Sequence, residues 1–185
     1  MNFNKHFELK DKHAYLGASK YHWLNYSDDK LIESYNNFLS VELGTELHDF
    51  ARRAIELGIK LPKNKKTLNM YVNDAIGFRM TPEQPLYYSD NCFGTADAIT
   101  FSKKLLRVHD LKTGTTPASM NQLKIYDALF CLEYSVDPKS IQIINRIYQL
   151  NEIFEEDEDP EEIEDIEHKI IRFDNLIQSI KMGEE

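Results

Sequence analysis

The chain has 185 residues, 42% of them hydrophobic and 29% charged, as in an ordinary soluble globule. That suits one domain, 1–185, with a real core, and no apolar run nears the roughly 18 residues of a membrane span. Two cysteines, Cys92 and Cys131, exclude a disulfide framework and a four-thiolate metal site, and the N-terminus lacks the apolar stretch of a signal peptide. A reducing, cytoplasmic setting is therefore expected. The net charge of −9 argues against nucleic acid only until it is located. Residues 151–167 hold eleven acids and no Lys or Arg, and without them the balance is +2. This acidic segment reads as a solvated linker and helix start, which leaves room for a basic groove elsewhere.

Taken in chain order, residues 1–27 are polar-aromatic and irregular, with "LGASKYHWLNY" as an N-terminal anchor. From Asp28 to Leu57 the pattern is helical: Leu43, Leu47, Phe50, Ala51, Ala54 and Ile55 recur at three and four, and Gly44 is placed to divide the helix in two. "PKNKK" from Pro62 to Lys66 is a loop; with Lys60, its lysines form a solvated basic cluster or a DNA-backbone contact. A second helix carries Leu68, Tyr71, Val72, Ala75 and Ile76, with Thr67 as its cap. Three strands follow, at Gln84–Tyr88, Phe93–Phe101 and Leu105–Leu111. Then come a helix from Ser119 to Tyr134, a β-branched strand over Lys139–Tyr148, the acidic segment and a last helix from Pro160 to Lys181. Helices, three strands, helix, strand, helix is the order of an α/β or α+β layer fold, with 151–185 as an appendage.

The second and third strands read as a hairpin turning at Ser102-Lys103-Lys104. With its centre between the two lysines, Asp97 and Asp110 face each other. Like charges directly opposed across a strand pair are destabilising, so two carboxylates among Ile, Val and Ala need a reason. A divalent cation supplies one, because it turns the repulsion into a chelate. Lys112 lies on the same face as Asp110 and is placed to orient a water or meet charge on a phosphoryl group. His109 alternates to the opposite face and reads as structural. Asp49 reads as solvent-facing, and His13, His22 and His168 carry no signal.

Four short motifs stand in order: "GTELH" (Gly44 to His48), "GTAD" (Gly94 to Asp97), "DLKTG" (Asp110 to Gly114) and Gln122 with Tyr126 in "QLKIY". Together they resemble the PD-(D/E)XK nuclease superfamily, and within it the branch of the RecB nuclease domain and the Cas4-type exonucleases. The resemblance spans Gly44 to Tyr126. It implies a restriction-endonuclease-like core with a central mixed β-sheet flanked by helices. It also implies Mg²⁺ or Mn²⁺ held by His48, Asp97, Asp110 and the Leu111 main-chain carbonyl. Lys112 would position the attacking water, and Gln122 and Tyr126 would hold the DNA backbone or the lysine. Glu83 would support the site through water or Lys112. The implied activity is hydrolysis of DNA phosphodiesters, as an exonuclease on ends or single strands. The alternatives are a structure-specific endonuclease and a non-catalytic DNA-binding protein on the same fold. Many relatives carry four cysteines for an iron–sulfur cluster; with two, no such cluster is expected, and Cys92 and Cys131 read as small core residues. The expected partner is DNA, with a homo-oligomer or a recombination or replication protein beside it. The size and lack of a helicase portion suggest a phage-encoded, stand-alone enzyme in the host cytoplasm.

Overall fold

In the computed structural model, which describes residues 5, 7 and 14–183, the segments between residues 81 and 157 form one five-stranded sheet. Strands β1 (Thr81–Ser89), β2 (Cys92–Ser102), β3 (Leu105–Leu111), β4 (Gln142–Gln149) and β5 (Glu152–Asp157) lie side by side in that order. Neighbours are antiparallel except β3 and β4, which run parallel. A parallel pair needs a crossover, and helix α3 (Asn121–Tyr134) supplies it. The result is the expected α+β fold: a mixed sheet flanked by helices.

By its contacts the chain forms two compact units, Met1–Leu43 and Gly44–Glu185. The first holds a 3-10 helix, Ala18–Asn25, and the start of helix α1 (Asp28–Glu56). The second holds the rest of α1, the sheet, and helices α2 (Thr67–Gly77), α3 and α4 (Pro160–Met182). Gly44 does not divide α1, which runs through it. Of the apolar residues read in that helix, Ala51, Ala54 and Ile55 are buried, while Leu43 and Phe50 stay exposed.

The sheet is covered on both faces. On one side Ala51, Ala54 and Ile55 of α1 and Tyr71, Val72 and Ala75 of α2 pack with Leu111 and Tyr148. On the other, Leu123, Ala128 and Leu129 of α3 pack with Leu106, Val108 and Ile143, joined by Ile163 from α4. β1 is an edge strand, which is why it tolerates Pro82 and Pro85, residues that cannot donate to a central ladder. Thr67 is the first helical residue of α2 rather than its cap: Lys66 holds the cap position with no side-chain bond. The Asn151 side chain, in the β4–β5 turn, instead accepts from Thr67 N at 3.1 Å.

The acidic segment differs from its sequence reading. It is no linker: residues 152–157 form β5, paired antiparallel with β4 and exposed throughout. A two-residue turn at Leu150-Asn151, both at positive φ, folds it back, the geometry of a tight hairpin loop. The remaining acids open α4, where Asp159 caps Glu161 N and Glu161 and Glu162 sit in the first turn, against the positive end of the helix dipole. Lys124 of α3 gathers three acids of the segment, at 2.9 Å from Glu162, 3.3 Å from Glu158 and 3.8 Å from Glu156. Asn145 of β4 donates to Asp127 and Glu158 beneath them. Strand β5 and helix α4 are thus bound into the second unit by charge pairing as well as by Ile163.

Removing the hub leaves Glu158 buried without its cation. Lys124→Met is expected to cost about 3 kcal/mol at pH 7, as when one partner of a buried pair is deleted. The deficit should shrink as pH falls, because burial raises the Glu158 carboxyl and favours its neutral form; urea unfolding at pH 7 and pH 4 checks this.

Candidate active site

The β2–β3 hairpin turns on Lys103 and Lys104, both in the left-handed region, with Ser102 opposite Leu105. From there the register runs through Ile99 opposite Val108 and Ala98 opposite His109. Asp97 and Asp110 are next in line. Asp97 also ties itself to the neighbouring strand, since its Oδ2 accepts from Leu111 N at 2.9 Å. Leu111 therefore enters the site through its amide, while its side chain lies in the core of the α2 face.

Asp110 is 2% exposed. One of its oxygens accepts from Lys112 Nζ at 3.0 Å; the other also lies 3.0 Å from the ammonium but accepts no hydrogen bond. Lys112 in turn donates to Gln122 Oε1 at 2.8 Å, and Gln122 Nε2 donates to the Tyr126 hydroxyl at 2.9 Å. An ammonium has three donors. Two are committed here, which fixes the lysine and leaves one for a further acceptor. The Tyr126 hydroxyl accepts from Gln122 and so keeps its own proton to give. Burial raises its pKa, so it stays a donor at neutral pH.

Helix α1 and strand β1 close the site. His48 Nδ1 lies 3.4 Å from Asp97 Oδ2. Glu83 follows Pro82 and adopts φ 48°, a left-handed conformation inside a strand. It falls between the pairs Pro82–Ala98 and Gln84–Ala96, opposite Asp97. His48, Glu83 and Asp97 each present a ligand atom within 4.8 Å of the others. The expected ligand set was His48, Asp97, Asp110 and Leu111. The structure groups Glu83 with the first two and turns Asp110 to Lys112. One imidazole nitrogen and carboxylate oxygens are donors of the kinds that divalent cations take.

Two motif glycines have a steric explanation. A Cβ on Gly94 would lie 2.9 Å from the ring of Tyr126, and one on Gly44 would lie 2.8 Å from Thr113 Oγ1. Both contacts are too short for a real side chain. Gly94 lets α3 approach β2, and Gly44 lets α1 approach the residue after Lys112. Other sequence-marked residues stand apart. His109 is buried on the far face near Tyr148 and Phe78, and burial pushes its pKa down to about 3, so it is neutral. Asp49 pairs with Arg52 and Arg53. Cys131 is buried and Cys92 half-buried.

Burial first, and then the Asp110 charge, raise the Asp97 carboxyl from 3.8 to about 6. A carboxyl raised on folding keeps its proton in the folded state while the unfolded chain loses it. The Asp97 contribution to stability is therefore least unfavourable below about pH 4, worsens as pH rises, and reaches its full deficit of about 2–3 kcal/mol above pH 6. Asp97→Asn is expected to remove that deficit, raising the melting temperature at pH 7 but not at pH 4; thermal unfolding at the two pH values measures it. Gly94→Ala should displace Tyr126, cost about 1–3 kcal/mol by overpacking and loosen the Gln122–Lys112 contact; denaturant unfolding reads the loss.

No protein-family model, no curated protein and no solved structure matches this chain.

Proposed function

We propose that this chain is a divalent-metal-dependent deoxyribonuclease that hydrolyses phosphodiester bonds, as an exonuclease on DNA ends or single strands. The observation that carries this reading is the unbroken run of hydrogen bonds Asp110–Lys112–Gln122–Tyr126 beside Asp97. Within it Lys112 has one donor left over, and at its end Tyr126 has a free proton. Two such donors suit a phosphate group whose charge grows during displacement.

His48, Glu83 and Asp97 would hold the cation, with Asp110 beside them. A bound divalent ion supplies Lewis-acid polarisation of a phosphoryl oxygen and lowers the pKa of water. The protein's part is to position. Asp110 and Gln122 aim the Lys112 ammonium, whose third donor orients the attacking water or meets a nonbridging oxygen. Tyr126 donates to the phosphate backbone. Gln122 touches both and acts through them, as a positioning residue.

Cleavage of linear DNA should vanish in EDTA and return with Mn²⁺ at least as well as with Mg²⁺, because an imidazole ligand favours the softer ion. Lys112→Ala should lower the rate by about 10²-fold or more while DNA still binds. Linear single strands, linear duplex and closed circles compared in one assay test whether cleavage needs a free end and which strand form it prefers. Cutting of the circles would make the protein an endonuclease. Cleavage that survives EDTA or Lys112→Ala would overturn the reading.

A further inference from the structure

The N-terminal unit carries aromatic residues that its own packing leaves half-buried or exposed. The 3-10 helix Ala18–Asn25 contains Tyr21, Trp23 and Leu24, yet buries none of its residues. Beside it is a cavity of about 320 Å³ lined by Tyr15, Trp23, Tyr26 and Phe38, with Lys20 and Ser34. That is large enough for a small ligand. Its rings are anchored. Trp23 Nε1 donates to Gly17 O at 3.1 Å, and the Tyr15 hydroxyl donates to Ser34 Oγ at 2.6 Å. Tyr15 also packs against Tyr35 and Phe38, with centroids 4.9 and 5.2 Å away. The polar tips of Tyr15 and Trp23 are thus spent within the unit, and the cavity offers ring surface.

It also offers one positive charge. Lys20 is exposed and stands at a kink of the 3-10 helix, with φ −106° and ψ 43°. Among the described residues it forms no ion pair. Ring surface beside an unpaired ammonium selects the ligand class. A cationic guest would be repelled by Lys20, and a purely apolar one would leave the charge unused. A nucleotide uses both, its base on the rings and its phosphate on the lysine. A base must be unstacked from its neighbours to reach such rings, so the polymer is single-stranded.

We propose that this cavity binds one unpaired base of single-stranded DNA between Tyr15, Trp23, Tyr26 and Phe38, with Lys20 on an adjacent phosphate. The inference rests on the deoxyribonuclease reading for the identity of the polymer, and it makes single strands the preferred substrate.

Trp23 is the only tryptophan of the chain, so its emission reports this cavity alone. The full chain would be titrated in EDTA with a dT oligonucleotide of about 12 residues, within the span that single-strand sites cover, and separately with the matched dT·dA duplex. Saturable quenching by the single strand and none by the duplex is expected. Tyr26→Leu should weaken binding about fivefold or more, the low end for one stacked base. Lys20→Ala, at an exposed position that leaves folding intact, should flatten the log–log salt dependence by about 0.7, one phosphate contact. Absence of quenching, equal quenching by duplex, or wild-type affinity and salt slope in both variants would overturn the proposal. Cleavage of the same oligonucleotide with Mn²⁺ separates the two readings. Cleavage without quenching sinks the pocket and leaves the nuclease, whereas quenching without cleavage does the reverse.

Discussion

Two carboxylates held against each other at the end of one hairpin are the constraint around which the second unit is organised. Nothing in a β2–β3 pair alone would keep Asp97 beside Asp110, because each is stabler with the other absent. The Lys103–Lys104 turn fixes the register, and a slip of one residue would send both to the wrong face. The amide of Leu111 then binds Asp97, and the ammonium of Lys112 binds Asp110. Each carboxylate is thus compensated by a donor from β3 or just beyond it. Compensation is incomplete, since the pKa of Asp97 is raised.

The surrounding elements preserve this arrangement rather than relieve it. Gly94 and Gly44 admit the Tyr126 ring and the Thr113 hydroxyl at distances that no side chain would allow. Those contacts set how close α3 and α1 come to the strand ends. Gln122 and Tyr126, one helical turn apart, present a hydrogen-bonded pair to the lysine. The acidic segment, by contrast, spends its charges on structure: a helix cap, a first turn, and pairs with Lys124 and Lys139. The net charge of −9 describes that segment and says little about the field at the site.

Much of this was legible in the sequence because it depends on short-range rules. Alternation and a two-residue turn gave the hairpin and its register, and helical spacing put Gln122 and Tyr126 on one face. β5 was not legible. Its residues, Glu-Ile-Phe-Glu-Glu-Asp, are all exposed and so carry no buried alternation. The one available signal was the Leu150-Asn151 pair, a two-residue loop with Asn, between a β-branched run and Ile-Phe. The α2 cap was missed because its acceptor, Asn151, lies 84 residues from Thr67 in the chain. The position of Glu83 was less legible for a similar reason. Its approach to Asp97 depends on how the edge strand pairs and on a backbone conformation that sequence rules disfavour.

That conformation bears on how the site holds its charge. A non-glycine residue in the left-handed region costs of the order of 1–3 kcal/mol and persists only where its surroundings impose it. Here the surroundings are a proline on one side, a second proline two residues on, and ladder pairs with β2 on either side. Ordinary strand geometry would alternate the side chains regularly; the altered backbone instead sets Glu83 opposite Asp97, near His48. Its charge adds to the forces that raise the Asp97 pKa, while His48 and the Leu111 amide oppose them. Backbone strain and carboxylate repulsion therefore converge on one end of the sheet, the first destabilising the fold at any pH and the second at neutral pH. On the nuclease reading this is the expected direction of the trade between stability and activity, because a cation can recover only repulsion that the fold has already built in.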